Sequence, residues 1–370
     1  MKLSVLKEVA PGDSRVAVTP ETVKKYVGLG HHVTIEAGAG LAAGYTDQAY
    51  AEVGATIAGD SSGALVGADV LLCVRLPDPK TLPDGLTLVG LLDPFKFDAA
   101  DFNAKKVTTL AMEFTPRITR AQSMDALSSQ SNLAGYRAVI EGATLYGRAM
   151  PMMMTAAGTV APAKVFIMGA GVAGLQAIAT ARRLGAVVTA TDVRPAAKEQ
   201  VASLGAKFIA VEDEEFKAAE TAGGYAKQMS DEYQQKQAEL VASHIEKQDI
   251  VVTTALIPGR PAPVLVTADM VKTMRPGSVI VDMAVSQGGN CPLSEPDIVV
   301  NADGVKVAGF TNLPAHLPAD ASALYAKNLL AFIPLITAED GSLNLDTDDE
   351  IVTAMMLTRG GETVNERISS

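Results

Sequence analysis

A chain of 370 residues, 48% of them hydrophobic and 20% charged, is long enough for two domains with separate cores and has the composition of a globular α/β protein. A formal net charge of -11 at pH 7 excludes a general nucleic-acid binder, which must neutralise phosphates with basic clusters. The opening MKLSVLKEVAPGDSR lacks the apolar core of a signal peptide, and no stretch reaches the roughly 18 to 20 apolar residues of a membrane span. A cytosolic chain is therefore expected, with Cys73 and Cys291 as buried free thiols rather than a disulfide or metal pair.

Short β-branched runs come first, at 3–6 (LSVL), 32–36 (HVTIE), 69–74 (DVLLCV), 86–92 (LTLVGLL) and 107–112 (VTTLAM). Continuous apolar runs of this length, separated by helical patterns, predict strands buried on both faces of a parallel sheet. Pro20 opens a helix with Thr19 as its N-cap, and Gly28 and Gly30 close it. The first unit runs to about Thr115. A long helix is predicted from Ser128 to about Met150, followed by Met152-Met153-Met154, read as packing at the domain junction.

A second set of strands is predicted at 164–169 (KVFIMG), 186–192 (AVVTATD), 207–211 (KFIAV), 249–255 (DIVVTTA), 278–284 (SVIVDMA) and 305–310 (VKVAGF). A helix over 321–336 then crosses back, and LNLDTDDEIV packs on the first unit. The fold class is α/β: two Rossmann-like domains with parallel sheets, joined by long helices, with a nucleotide cleft between them. The expected boundaries are 1–127, 128–316 and 317–370. Between 219 and 240, Gly223 and Gly224 interrupt a polar stretch beside Tyr225. A solvated surface loop and a mobile lid over a ligand are both compatible with that pattern.

The strongest motif is KVFIMGAGVAGLQAIATARRLGAVVTATDVR. Gly169, Gly171 and Gly174 give the GxGxxG spacing between a strand and a helix. Gly169 permits the tight turn, Gly171 lets a pyrophosphate approach, and Gly174 allows close helix–sheet contact. The helix N-terminus offers unpaired N–H groups to phosphate. Asp192 closes the next strand, where a carboxylate accepts hydrogen bonds from a ribose 2′-hydroxyl and repels a 2′-phosphate. That favours NAD(H) over NADP(H), although Arg194 offers a 2′-phosphate a partner. A glycine-rich packing turn is the plain alternative.

The acid/base chemistry is harder to find. His31, His32 and His244 lie away from any expected cleft, and only His316 follows the last strand. There is no HExxH or comparable metal-ligand cluster. Hydride transfer between two nicotinamide rings moves no proton at the reacting carbon, so it needs orientation rather than a general base. The segment RITRAQSMDALSSQSNLAGY, 117–136, supplies candidates for orientation: Gln122, Asp125 and Ser128 for a carboxamide, Arg117 for a phosphate or to brace Asp125. Helix capping and domain docking compete, but capping accounts for one of these residues, not for four.

The sequence resembles the soluble NAD(H)-binding component, domain I, of proton-translocating nicotinamide nucleotide transhydrogenase, in the form whose alpha subunit is split. The resemblance covers nearly the whole chain. Its most specific stretches are 117–143, 151–186, AETAGGYAKQM at 219–229, TTALIPGRPAPVL at 253–265 and QGGNCPLSEP at 287–296. It implies a homodimer that binds NAD(H) and passes hydride from NADH to NADP+ held on a separate domain III. Membrane subunits couple that transfer to proton movement and hold the chain peripherally at the cytoplasmic face of the inner membrane. Arg117, Gln122, Asp125 and Ser128 match the family's loop at the nicotinamide end, with Gln122 associated with ring alignment and Asp125 and Ser128 with contacts to NAD(H). Tyr225 matches the tyrosine of a loop that closes over the nucleotide. The candidate cofactor-binding set is then Arg117, Gln122, Asp125, Ser128, Gly169, Gly171, Val172, Gly174, Asp192, Val193, Arg194, Gly224, Tyr225, Ala255 and Leu256, with no metal.

Alanine dehydrogenase is the related alternative. KEVAPGDSRVAVTP, 7–20, resembles it and includes Arg15, which in that family binds the substrate carboxylate. The chain departs from that pattern at the substrate-binding lysine (Arg75 here), the catalytic histidine (about Asp93) and the catalytic aspartate (Ser286). Losing both acid/base groups costs orders of magnitude in amine oxidation. A non-catalytic NAD-binding module is the third reading.

Overall fold

The computed structural model describes residues 1–217 and 230–368. Its first strands and helices are β1 (Lys2–Val5), α1 (Pro20–Gly28), β2 (His32–Glu36), α2 (Asp47–Ala51), β3 (Thr56–Ala58), α3 (Ser61–Leu65), β4 (Val70–Leu72), β5 (Thr87–Gly90), α4 (Ala100–Ala104) and β6 (Thr108–Ala111). Thr19 caps α1 as its chemistry predicts. Its hydroxyl accepts from the Thr22 N–H, the Thr22 hydroxyl accepts from the Thr19 N–H, and Pro20 needs no donor in the first turn. Strands β1 to β6 pair in parallel, as continuous apolar runs lead one to expect.

α5 (Ala126–Leu145) follows, ending earlier than predicted because Gly147, at φ +20°, leaves helical backbone. Next come β7 (Met153–Thr155), β8 (Gly158–Val160), β9 (Lys164–Met168), α6 (Val172–Arg183), β10 (Val187–Thr191), α7 (Ala197–Ser203), β11 (Lys207–Phe208), α8 (Glu214–Lys217), α9 (Asp231–Ile245), β12 (Ile250–Thr253), α10 (Ala268–Thr273), β13 (Val279–Asp282), β14 (Val299–Ala302) and β15 (Val305–Gly309). The chain closes with α11 (Pro318–Phe332), α12 (Glu350–Met355), β16 (Met356–Arg359) and β17 (Glu362–Thr363). The predicted helix over 321–336 tightens to a 3₁₀ turn at Ile333–Ile336, where Pro334 lacks the N–H that an α-helix needs.

Two compact units result: Met1–Gln130 with Pro314–Ser370, and Ser131–Leu313. The first holds a sheet of order β17-β16-β6-β5-β4-β1-β2-β3, in which β16 lies antiparallel to β6. Tyr325, Leu329, Phe332, Ile333 and Ile336 pack with Leu3, Val5, Val70 and Leu72 to form its core. A buried aromatic of this kind is worth about 1.5–3 kcal/mol over exposure. The second unit holds a sheet of order β11-β10-β9-β12-β13-β15-β14, parallel except for β14.

One reading is overturned. Met152, Met153 and Met154 are 59%, 44% and 79% exposed, so they do not fill a junction. Met153 and Met154 sit instead on β7, paired antiparallel with β8 in a small sheet of two strands, too few to bury its own side chains.

Candidate functional site

In the second unit, β9 runs directly into the glycine turn. Gly169 has φ +104°, a conformation that disfavours any side chain, and a Cβ there would also lie 2.4 Å from the Thr254 hydroxyl. A Cβ on Gly174 would lie 1.8 Å from the carbonyl oxygen of Gly169, so only glycine lets α6 approach the strand so closely. Gly171 is different. Its φ of -75° suits any residue, and a Cβ there meets no protein atom within 4 Å. Protein packing therefore does not account for glycine at 171. Gly171 is the N-cap of α6 and provides no side-chain cap, leaving the first-turn N–H donors of Val172, Ala173 and Gly174 without a side-chain acceptor. With the helix dipole behind them, these donors suit an anion.

Asp192 follows β10 and is nearly buried, its side chain 7% exposed. Its carboxylate accepts from the Ala170 N–H at 2.7 Å, which ties it to the glycine turn. It also accepts from the Arg194 N–H at 2.8 Å and from the guanidinium Nε at 2.9 Å. The sequence left Arg194 open as a phosphate partner. In the fold that guanidinium is engaged by Asp192, whose hydrogen bond raises its already high pKa. The chain crosses from β9 to β10 and β11, then returns to β12 on the other side of β9, so the strand order reverses beside the glycine turn. Val172, Val193 and Leu256, 42%, 60% and 45% exposed, offer apolar surface just past the carboxyl ends of β9, β10 and β12.

In the first unit the segment after β6 forms a 3₁₀ turn, Thr119–Met124. Asp125 then starts α5: its Oδ1 accepts from the Ser128 N–H at 2.9 Å and its Oδ2 from the Ser128 hydroxyl at 2.5 Å. Capping thus accounts for two of the four candidates, and Asp125 is bonded to Ser128 rather than braced by Arg117. Arg117 and Gln122 are exposed, and neither side chain has a hydrogen-bond partner among the described residues. Arg120 lies between them on the turn but is engaged by Asp349 at 2.7 Å. Gly224 and Tyr225, with the lid considered there, lie outside the described residues.

Three positioning residues escaped the sequence reading. Asn290, fully buried, accepts from the Ala255 N–H and donates to the Ala255 and Pro263 carbonyls, fixing the loop after β12. The signal was present in QGGNCP, whose Gly288 and Gly289 both take positive φ. Asn328 of α11 donates to the Ser123 carbonyl and accepts from the Ser129 hydroxyl, anchoring the candidate loop. Gly135 of α5 faces the start of α6, where a Cβ would lie 2.0 Å from the Ala173 carbonyl oxygen.

The histidines set aside above are otherwise occupied. His244 contacts the Thr189 hydroxyl at 2.8 Å, and His31 is buried beside Tyr26. Arg15 is nearly buried, with its Nε and NH2 on Asp13 at 2.9 and 2.5 Å and its NH1 on Gln130 at 2.8 Å. Arg75 reaches the same Asp13 carboxylate at 3.1 Å. Burial alone raises the Asp13 carboxyl, but the Arg15 hydrogen bonds and charge, with that of Arg75, outweigh it and hold it well below the carboxylate range. Glu8, which accepts from the Val74 and Arg75 N–H groups, is pushed by burial up to about 7. Both cysteines are buried and free. Among the described residues no group of His, Cys, Asp and Glu is arranged to hold a metal ion, and no helix is long and apolar enough to cross a membrane.

Comparison with known proteins gives consistent relatives. The family profiles described as alanine dehydrogenase/PNT, N-terminal domain and C-terminal domain match residues 4–134 and 138–366. The first portion of the split NAD(P) transhydrogenase subunit alpha of Rhodospirillum rubrum is 54% identical, covering 100% of this chain and 99% of the relative. The crystal structure of transhydrogenase from Sinorhizobium meliloti is 53% identical with a TM-score of 0.89, covering 98% of this chain and 100% of that one. An L-alanine dehydrogenase structure shares the fold at a TM-score of 0.84 but is only 25% identical, covering 100% and 98%. The chain therefore belongs to the alanine dehydrogenase/PNT family, and within it to the NAD(P) transhydrogenase alpha-subunit proteins.

Proposed function

We propose that this chain is the NAD(H)-binding component of a proton-translocating transhydrogenase. It passes hydride from NADH to NADP+ held on a separate domain III, and membrane subunits couple that transfer to proton movement. The observation that carries the reading is Gly171: a glycine that neither backbone strain nor protein packing requires, at a helix start whose donors lack a side-chain acceptor. A backbone open to pyrophosphate supplies the missing reason. The first-turn N–H groups of α6 hold the pyrophosphate, and Asp192 meets the adenosine ribose while disfavouring a 2′-phosphate. Val172, Val193, Ala255 and Leu256 border the same end of the sheet. NAD supplies the carbon that gives up or accepts hydride, so the protein needs no base at that carbon. Arg117 and Gln122, exposed and uncommitted, serve the nicotinamide end, on a loop that Asp125, Ser128 and Asn328 hold in shape.

The partners follow from the same reading. The uncovered methionines of the β7–β8 hairpin support a homodimer, and domain III of the beta subunit is the second partner. Attachment to the cytoplasmic face of the inner membrane runs through the membrane subunits. The alanine dehydrogenase reading draws on Arg15, but that guanidinium is held by Asp13 and Gln130, and Asp93 and Ser286 stand where its acid/base groups belong. The discriminating assay follows NADH oxidation by an oxidised NADP analogue with purified domain III, beside NAD reduction by L-alanine. Turnover in the first assay and none in the second is expected. Robust alanine-dependent turnover reverses the assignment.

A further inference from the structure

The second unit has a cavity of about 220 Å³ at the amino-terminal edge of its sheet, the edge away from the glycine turn. β9 alone separates the two edges by about 15 Å. Arg148, Arg275 and Lys306 line the cavity with Tyr146, Asp249 and Ser278. Three cations meet one carboxylate there, in a chain whose net charge is -11. Asp249 is already engaged: its Oδ2 accepts from the Lys164 N–H at 2.8 Å, its Oδ1 lies 3.5 Å from Arg275, and Tyr146 hydrogen-bonds to it.

Cations near helix C-termini often just satisfy terminal carbonyls. Lys306 does so at Leu145, the end of α5, at 2.7 Å, and Arg275 donates to the Lys247 carbonyl at 2.9 Å. That role uses one of three ammonium donors on Lys306 and a fraction of the guanidinium donors on Arg275. It uses none on Arg148, whose side chain is exposed and has no hydrogen-bond partner among the described residues. Two guanidinium forks and an ammonium with donors to spare, around a recess that holds roughly seven waters' volume, suit a tetrahedral oxyanion.

We infer that this cavity is a second anion site, distinct from the dinucleotide turn, and that it takes the phosphoryl group of a small ligand. That group is supplied either by free phosphate or by a phosphomonoester. The test is calorimetric titration of the full-length chain, saturated with NADH, with inorganic phosphate and separately with glycerol 3-phosphate. NADH occupies any phosphate site at the glycine turn, so heat that persists belongs elsewhere. One saturable site is expected, weakened about ten-fold or more in R148Q/R275Q. R148Q alone, which breaks no side-chain bond within the described residues, weakens it with unchanged thermal stability. Tighter binding of the ester points to a metabolite and tighter inorganic phosphate to the free ion, and either supports the site. No saturable binding, or equal binding by wild type and R148Q/R275Q, overturns it. Because the variants localise the site, the outcome is decisive even if NADH fails to bind.

Discussion

Replacing Gly171 and Gly174 separately with alanine divides ligand approach from packing, because the fold treats the two positions differently. At 174 the new methyl lies 1.8 Å from a backbone oxygen that cannot swing aside. Overpacking of that kind costs about 1–3 kcal/mol, and each kcal/mol lowers Tm by roughly 2–4 °C in a domain of this size. At 171 the methyl meets no protein atom and the backbone is compatible with alanine. Restricting the unfolded chain gains about 0.4–1 kcal/mol, and losing a glycine N-cap costs a similar amount, so Tm stays nearly constant. Yet the methyl stands where pyrophosphate must meet the helix N-terminus. Gly171→Ala should raise the NADH dissociation constant about ten-fold or more, which is about 1.4 kcal/mol. Calorimetry with NADH and a thermal scan on each variant make the comparison. A Gly171→Ala protein that binds NADH like wild type refutes the reasoning, whatever Gly174→Ala does.

Asp192→Asn should weaken NADH binding by about 1–3 kcal/mol and narrow the preference over NADPH, read by parallel calorimetric titrations. Equal affinities for the two nucleotides in wild type would contradict the role given to this carboxylate. Gln122→Asn should leave the NADH dissociation constant within about an order of magnitude while slowing hydride transfer about ten-fold or more in stopped flow with domain III, because ring alignment is sensitive to about 1 Å. Unchanged transfer at NADH saturation removes Gln122 from the mechanism. Met154→Asp on the exposed hairpin should shift the protein from dimer to monomer in sedimentation, and an unchanged mass would separate the hairpin from self-association. Glu8 provides a pH test. Burial raises its folded-state carboxyl from 4.5 to about 7, so the stability that its protonation contributes is fully present below about 4.5 and is lost as pH rises through about 7. Tm of wild type should therefore fall across that window more steeply than Tm of Glu8→Gln, and parallel slopes would contradict the assignment.

Sequence pattern exposed most of the architecture. Apolar runs such as HVTIE became β2 residue for residue, and Thr19-Pro20 announced α1 through chemistry confined to a few positions. The glycine turn was legible for the same reason: its constraints on Gly169 and Gly174 are local to a strand, a turn and a helix. What stayed hidden depended on distant partners. Asn290 gains its role from Ala255, 35 residues earlier, and Asn328 acts on Ser123, 205 residues away. No periodicity encodes such pairings. Met152–Met154 was misread because apolar composition favours burial, whereas a two-stranded hairpin has no second layer to bury it. Arg194 shows the opposite limit, since the motif that placed it near a ligand could not tell that Asp192 engages it first.

The central claim is that hydride passes directly from NADH on this chain to a nicotinamide on domain III. The most direct measurement is a single-turnover reaction in ordinary water, using NADH deuterated at the transferring position of C4 and NADP+ bound to domain III. Mass analysis of the NADPH follows. The account predicts deuterium at C4 of the product, with no loss to solvent and no product when this chain is omitted. NADPH carrying a solvent hydrogen at C4, or formed equally well without this chain, contradicts it.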